Sequence, residues 1–143
     1  MELLNQLSLG RGLQLFVAQR FDANCESADA VGNAVYVTGP SVAGKYQVAT
    51  ADPADAAKMP AVGVIVEKSG STDCVVQTLG EMVGVVSGLT PGRLVMVESS
   101  GTIGHSLPTP GVGATARIQY IGTALDADAV FLCPNFLLSV RTG

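Results

Sequence analysis

The chain has 143 residues, 48% of them apolar and only 14% charged, with a formal net charge of −4. That length fits one domain, which can bury a core without a metal or disulfide to hold it. The eight basic residues stand singly, giving a nucleic acid no basic patch, and no apolar run approaches the roughly 18–20 residues of a membrane span.

The charged share is well below the about 25% of an average soluble domain. With 17 glycines and many alanines, the low charge points to surface reserved for partners rather than to an oversized core. Cys25, Cys74 and Cys133 are odd in number and far apart, which argues against a disulfide framework and for buried apolar thiols. Glu2 and the lack of a basic leading segment argue against a signal peptide, so the chain is expected to fold in a cytoplasm.

Met1–Gln19 differs from the rest of the chain, with Leu3, Leu4, Leu7, Leu9, Leu13, Leu15 and Phe16 set among few turn residues. Leu3, Leu4 and Leu7 would share one face of a helical turn or two, Gly10 and Gly12 would end it, and Leu13–Val17 can run extended. Residues 1–20 are therefore read as an apolar arm for docking on a partner, ahead of a first strand closing the core. Residues 21–143 are read as the β domain.

Phe21–Gly32 is acidic and turn-like. Asp22, Glu26 and Asp29 beside Cys25 match no metal-ligand spacing, so a solvated loop is expected. Ala34–Thr38 and Tyr46–Ala49 then alternate as two strands around Gly39–Lys45. That loop, GPSVAGK, carries the G-x-x-x-x-G-K of a phosphate-binding loop. Tyr46 stands where Ser or Thr would hold magnesium, and KYQVAT alternates like a strand where a helix is required, so a hairpin is expected. Asp52–Lys58 is the one convincing helical piece, with Asp52 as cap, Pro53 at the first position, and Pro60 as stop.

From Met59 to Gly104 short apolar runs (Val62–Val66, Cys74–Gln77, Met82–Val86, Leu94–Val97) alternate with Ser/Gly/Thr/Pro clusters, the pattern of short strands and tight turns. Ala116–Leu125, Val130–Cys133 and Leu137–Val140 continue it, with Pro134 marking a strand switch or edge. The fold class is therefore all-β: a small sandwich or barrel, jelly-roll-like or β-tulip-like, with an N-terminal arm and one short helical turn.

Catalysis finds no support in the residues. His105 is the sole histidine, with Ser99, Ser100 and Ser106 nearby. Neighbours in one Gly-rich turn cannot easily face one another with a third group orienting the ring, and a water-exposed turn histidine is expected. No catalytic, metal or cofactor constellation appears.

The order of features from Ala30 onward resembles the small β domains of tailed-bacteriophage head decoration (cement) proteins, which also recur in tail-fibre proteins. The resemblance is carried by Val31-Gly32-Asn33-Ala34-Val35-Tyr36-Val37, Ala51-Asp52 leading to Met59-Pro60-Ala61-Val62-Gly63-Val64, and Val76-Gln77 to Gly80. It continues through Leu89-Thr90-Pro91-Gly92, Ser100-Gly101-Thr102, Ile121-Gly122-Thr123-Ala124-Leu125 and Val130-Phe131. It implies a non-enzymatic virion protein, made in the bacterial host cytoplasm and placed on the outer surface of the head. There it would act, commonly as a homotrimer, by clamping neighbouring major capsid subunits. The arm has no counterpart in the resemblance; its docking role rests on composition. A tail or fibre appendage, or a small-ligand-binding β-barrel, are the alternative readings.

Overall fold

The computed structural model describes residues 18–143. They form eleven β-strands and a 3-10 turn, so the chain is all-β, as its turn spacing implies. The expected arm, with its helical turn and its extended run Leu13–Val17, lies outside the described residues up to position 17; Gln19 and Arg20 belong to the β body.

Strands β1 (Gln19–Asn24), β2 (Ala34–Val42), β3 (Lys45–Thr50), β4 (Gly63–Lys68) and β5 (Asp73–Val83) close on themselves. β1 runs parallel to β3 and antiparallel to β5, and the antiparallel pairs β3–β2, β2–β4 and β4–β5 complete the ring. β5 continues beyond the ring, where Gly80–Val83 pair with β10 (Ala129–Leu132). From there a second sheet runs through β9 (Tyr120–Asp126) and β6 (Leu94–Val97) to β7 (Ile103–Gly104). A separate ribbon pairs β8 (Thr115–Ile118) with β11 (Ser139–Thr142).

This arrangement encloses two cores. Ala23, Val35, Val48, Ile65, Cys74 and Val76 fill the ring. Val64, Val66, Met82, Val95, Ile121, Val130 and Leu132 fill the space between the ring wall and the second sheet. β4 separates them, sending Ile65 into one and Val64 and Val66 into the other. A strand buried on both faces has no polar side, which is why its sequence is continuously apolar rather than alternating.

Several expectations need correction. Cys74–Gln77 and Met82–Val86 are not two strands with a break: β5 runs through Gly80, whose φ of 95° lets the strand bend without ending. The fully buried Gln77 holds that bend. Its Nε2 donates to the carbonyls of Leu79 (3.3 Å) and Glu81 (2.8 Å), and its Oε1 accepts from Arg20 Nε at 3.1 Å. Ala116–Leu125 is broken at Gln119 into β8 and β9. The acidic stretch after Phe21 begins as strand β1, not loop. Among the described residues helix is confined to a 3-10 turn at Ala56–Lys58, capped by Asp55 rather than Asp52, with Asp55 Oδ1 accepting from Ala57 N at 2.9 Å. No helix among the described residues is long and apolar enough to cross a membrane.

Candidate functional site

The Gly39–Lys45 stretch is a β-hairpin. Strand β2 continues to Val42, which pairs with Lys45, and Ala43 (φ 52°) and Gly44 (φ 78°) make the two-residue turn. Lys45 opens strand β3 and lies 3.4 Å from Asp73 Oδ1. No helix N-terminus comes after it to receive a phosphate.

His105 differs from the exposed turn residue expected of it: it is half-buried, with both ring nitrogens engaged. Nε2 accepts from Thr90 N at 2.8 Å, and Nδ1 lies 2.7 Å from the Leu94 carbonyl. A carbonyl only accepts, so the proton sits on Nδ1 and the ring ties the 90–94 turn to the end of β7. Neither nitrogen is left to activate Ser99, Ser100 or Ser106.

The three thiols divide. Cys133 is exposed, against expectation, whereas Cys25 and Cys74 are buried in the ring. Burial, and then a hydrogen bond with the Cys25 side chain, push the Cys74 thiol up to about 12. It is held as a protonated, poorly nucleophilic apolar group. Among the described residues no group of three or more His, Cys, Asp or Glu is placed to hold a metal.

One concavity among the described residues is an open cleft of about 410 Å³ with Glu26, Asp29, Asn33, Tyr36, Thr50 and Lys58 in its lining. The polar groups at its floor hold one another. Asp29 Oδ2 accepts from Glu26 N at 2.7 Å and Oδ1 from the Thr50 hydroxyl at 2.5 Å. Asn33 Oδ1 accepts from Ala30 N at 2.7 Å. Behind them the Lys68 ammonium donates to the carbonyls of Glu26 (3.3 Å), Ser27 (3.0 Å) and Asp29 (2.5 Å). The loop that reads as a solvated acidic turn is thus folded around a cation supplied by β4. Among the described residues every buried side-chain nitrogen or oxygen has a partner.

The surface carries more unusual chemistry than the cleft. Val112 is fully exposed and Leu137 is 85% exposed, and Leu107, Phe136 and Val140 are also exposed. These residues belong to the β8–β11 ribbon and the loops next to it. Arg141 Nη1 donates to the Pro108 carbonyl at 3.1 Å and Gly143 N to the Ala114 carbonyl at 3.1 Å, fastening the 108–114 loop along β11. The interface residues named from sequence, Leu3, Leu4, Leu7, Leu9, Leu13, Leu15 and Phe16, lie outside the described residues. The ribbon patch escapes sequence reasoning because Leu137–Val140 reads as one more apolar strand; the strand is instead Ser139–Thr142, exposed along its length and paired only with β8, and Phe136 and Leu137 lie before it. No family model, curated protein or solved structure matches this chain.

Proposed function

We propose that this protein is a non-enzymatic structural component of a tailed-phage virion, decorating the outside of the head and clamping neighbouring major capsid subunits. The observation that carries the reading is the apolar ribbon, with Leu107, Val112, Phe136, Leu137 and Val140 exposed on a chain with few charges. Apolar side chains left exposed on one ribbon and its loops suit contact with a protein partner. The all-β body and the mutually satisfied cleft suit a scaffold better than a catalyst. Attachment uses the ribbon together with the apolar arm from Leu3 to Phe16, and self-association into a homotrimer accompanies it. No nucleic acid or membrane is a partner in this reading.

The test is to add purified protein to undecorated heads and image them. Regular density on the outer shell is the expected result, with occupancy reduced at least tenfold by Phe136→Ser with Leu137→Ser. Heads that remain bare at micromolar protein would refute the assignment.

A further inference from the structure

Two of the three thiols meet inside the ring. β1 and β5 pair antiparallel, with Ala23 opposite Cys74 and Asn24 opposite Asp73. A further bond, from Cys25 N to the Thr72 carbonyl at 2.8 Å, carries the ladder one residue past the end of β1. Strand alternation therefore sends Ala23, Cys25 and Cys74 to one face. All three belong to the same buried cluster, with Cys25 only 5% and Cys74 only 4% exposed. Cys25 and Cys74 are diagonal neighbours across the pair, a relationship within side-chain reach. Their side chains are hydrogen-bonded to each other, and Cys74 Sγ also lies 3.6 Å from the Ala23 carbonyl.

We propose that Cys25 and Cys74 are a redox pair, which a low-molecular-weight disulfide such as glutathione disulfide converts into an intrachain cross-link. The step is two exchanges. The Cys25 sulfur, as thiolate, attacks one sulfur of the oxidant, breaks its S–S bond and releases one glutathione. The Cys74 sulfur then attacks Cys25 in the mixed disulfide, forms the Cys25–Cys74 bond and releases the second. The two protons given up by the protein thiols end on the two glutathiones, which are thereby reduced. Cys25 takes the first attack because it lies beyond the last residue of β1, where opening its backbone bond to Thr72 uncovers it. Cys74 sits within the ladder and is held protonated. Closure draws two touching sulfurs together to about 2.05 Å, and the end of β1 follows.

The position makes the bond effective. β1–β5 is the pairing that closes the ring, and the loop between the two cysteines contains β2, β3 and β4. Joining the ends of a long loop restricts the unfolded chain strongly. In a reducing cytoplasm the pair stays as thiols; in an oxidising exterior it locks the ring.

The test uses full-length protein carrying Cys133→Ser, which removes the exposed thiol, and needs no capsid, so it is independent of the proposed function. Native protein is incubated with glutathione disulfide at about pH 8, where exchange is favoured. The expected product is a monomer lighter by two hydrogens, with Cys25 and Cys74 joined in the non-reduced digest. Its melting temperature should rise on the order of 10 °C and return with dithiothreitol. Cys25→Ser in the same background should show no rise. Two thiols still titratable after denaturation, or glutathione adducts alone, would overturn the proposal. A cross-link that leaves the melting temperature unchanged would overturn the locking of the ring.

Discussion

Gln119 uses its side chain as a substitute strand for Ala61. Nε2 donates to the Ala61 carbonyl at 2.8 Å and Oε1 accepts from Ala61 N at 2.7 Å, with both residues fully buried. This two-point contact fastens the segment before β4 to the break between β8 and β9. Gln119→Leu fills the space but leaves two buried main-chain groups unpaired, at about 1–3 kcal/mol each. The expected outcome is a loss on the order of 3 kcal/mol in urea unfolding, with Gln119→Glu also destabilising because its carboxylate cannot donate. Unchanged midpoints would show that water replaces the side chain.

Lys68 holds the Glu26–Asp29 loop through three carbonyls. Lys68→Met keeps the aliphatic stem and removes the charge, and a charged hydrogen bond is worth about 1.5–3 kcal/mol when well shielded. Partial exposure of the ammonium lowers the expected loss to about 1–2 kcal/mol. Amide exchange should quicken across residues 25–30, and exchange at the wild-type rate would contradict the role given to the lysine. Lys68→Arg should not restore it, since a planar guanidinium cannot replace a compact ammonium among these carbonyls.

Cys74 links stability to alkaline pH. Its folded value of about 12 lies above the ordinary 9.0, so the folded state binds the proton more tightly than the unfolded chain. This contribution is complete below pH 9 and is lost as pH rises towards 12, by at most about 1.4 kcal/mol per pH unit. The fall in melting temperature between about pH 8 and about pH 10.5 should therefore be smaller for Cys74→Ala than for wild type. Parallel declines would mean that the thiol does not contribute.

Gly63 opens β4 with no room for a side chain beside β5. A methyl group there would sit 2.4 Å from the Gln77 carbonyl oxygen and 2.7 Å from Val76 Cγ1. Forcing extra carbon into such a site costs about 1–3 kcal/mol. Gly63→Ala is expected to fall in that range by thermal melting, whereas Gly39→Ala, with open space around it, should be close to neutral.

How much the sequence discloses depends on how local each feature is. Strands β2, β3, β4 and β6 are legible because their apolar runs end at turn residues that are adjacent in the chain. β5 is misread as two strands because Gly80 looks like a terminator; the bend there depends on Gln77 reaching Leu79 and Glu81, and no residue pattern announces that contact. β1 is hidden because its Arg20 and Asp22 lie on the outside while the core takes only small Ala23 and Cys25 beside Phe21. The surface is least readable of all. Leu137 and Leu132 look alike in one dimension, yet one is 85% exposed and the other fully buried.

The sharing of β4 and β5 between the two cores has a mechanical consequence. Two lobes joined by a linker can pivot, and a pull on one can leave the other at rest. Here a pull on the second sheet passes into β5 and shears its ladders with β1 and β4 along their length, loading many hydrogen bonds at once. The body should therefore resist as one stiff piece and yield in a single step, so that single-molecule stretching from its two ends gives one rupture peak instead of two.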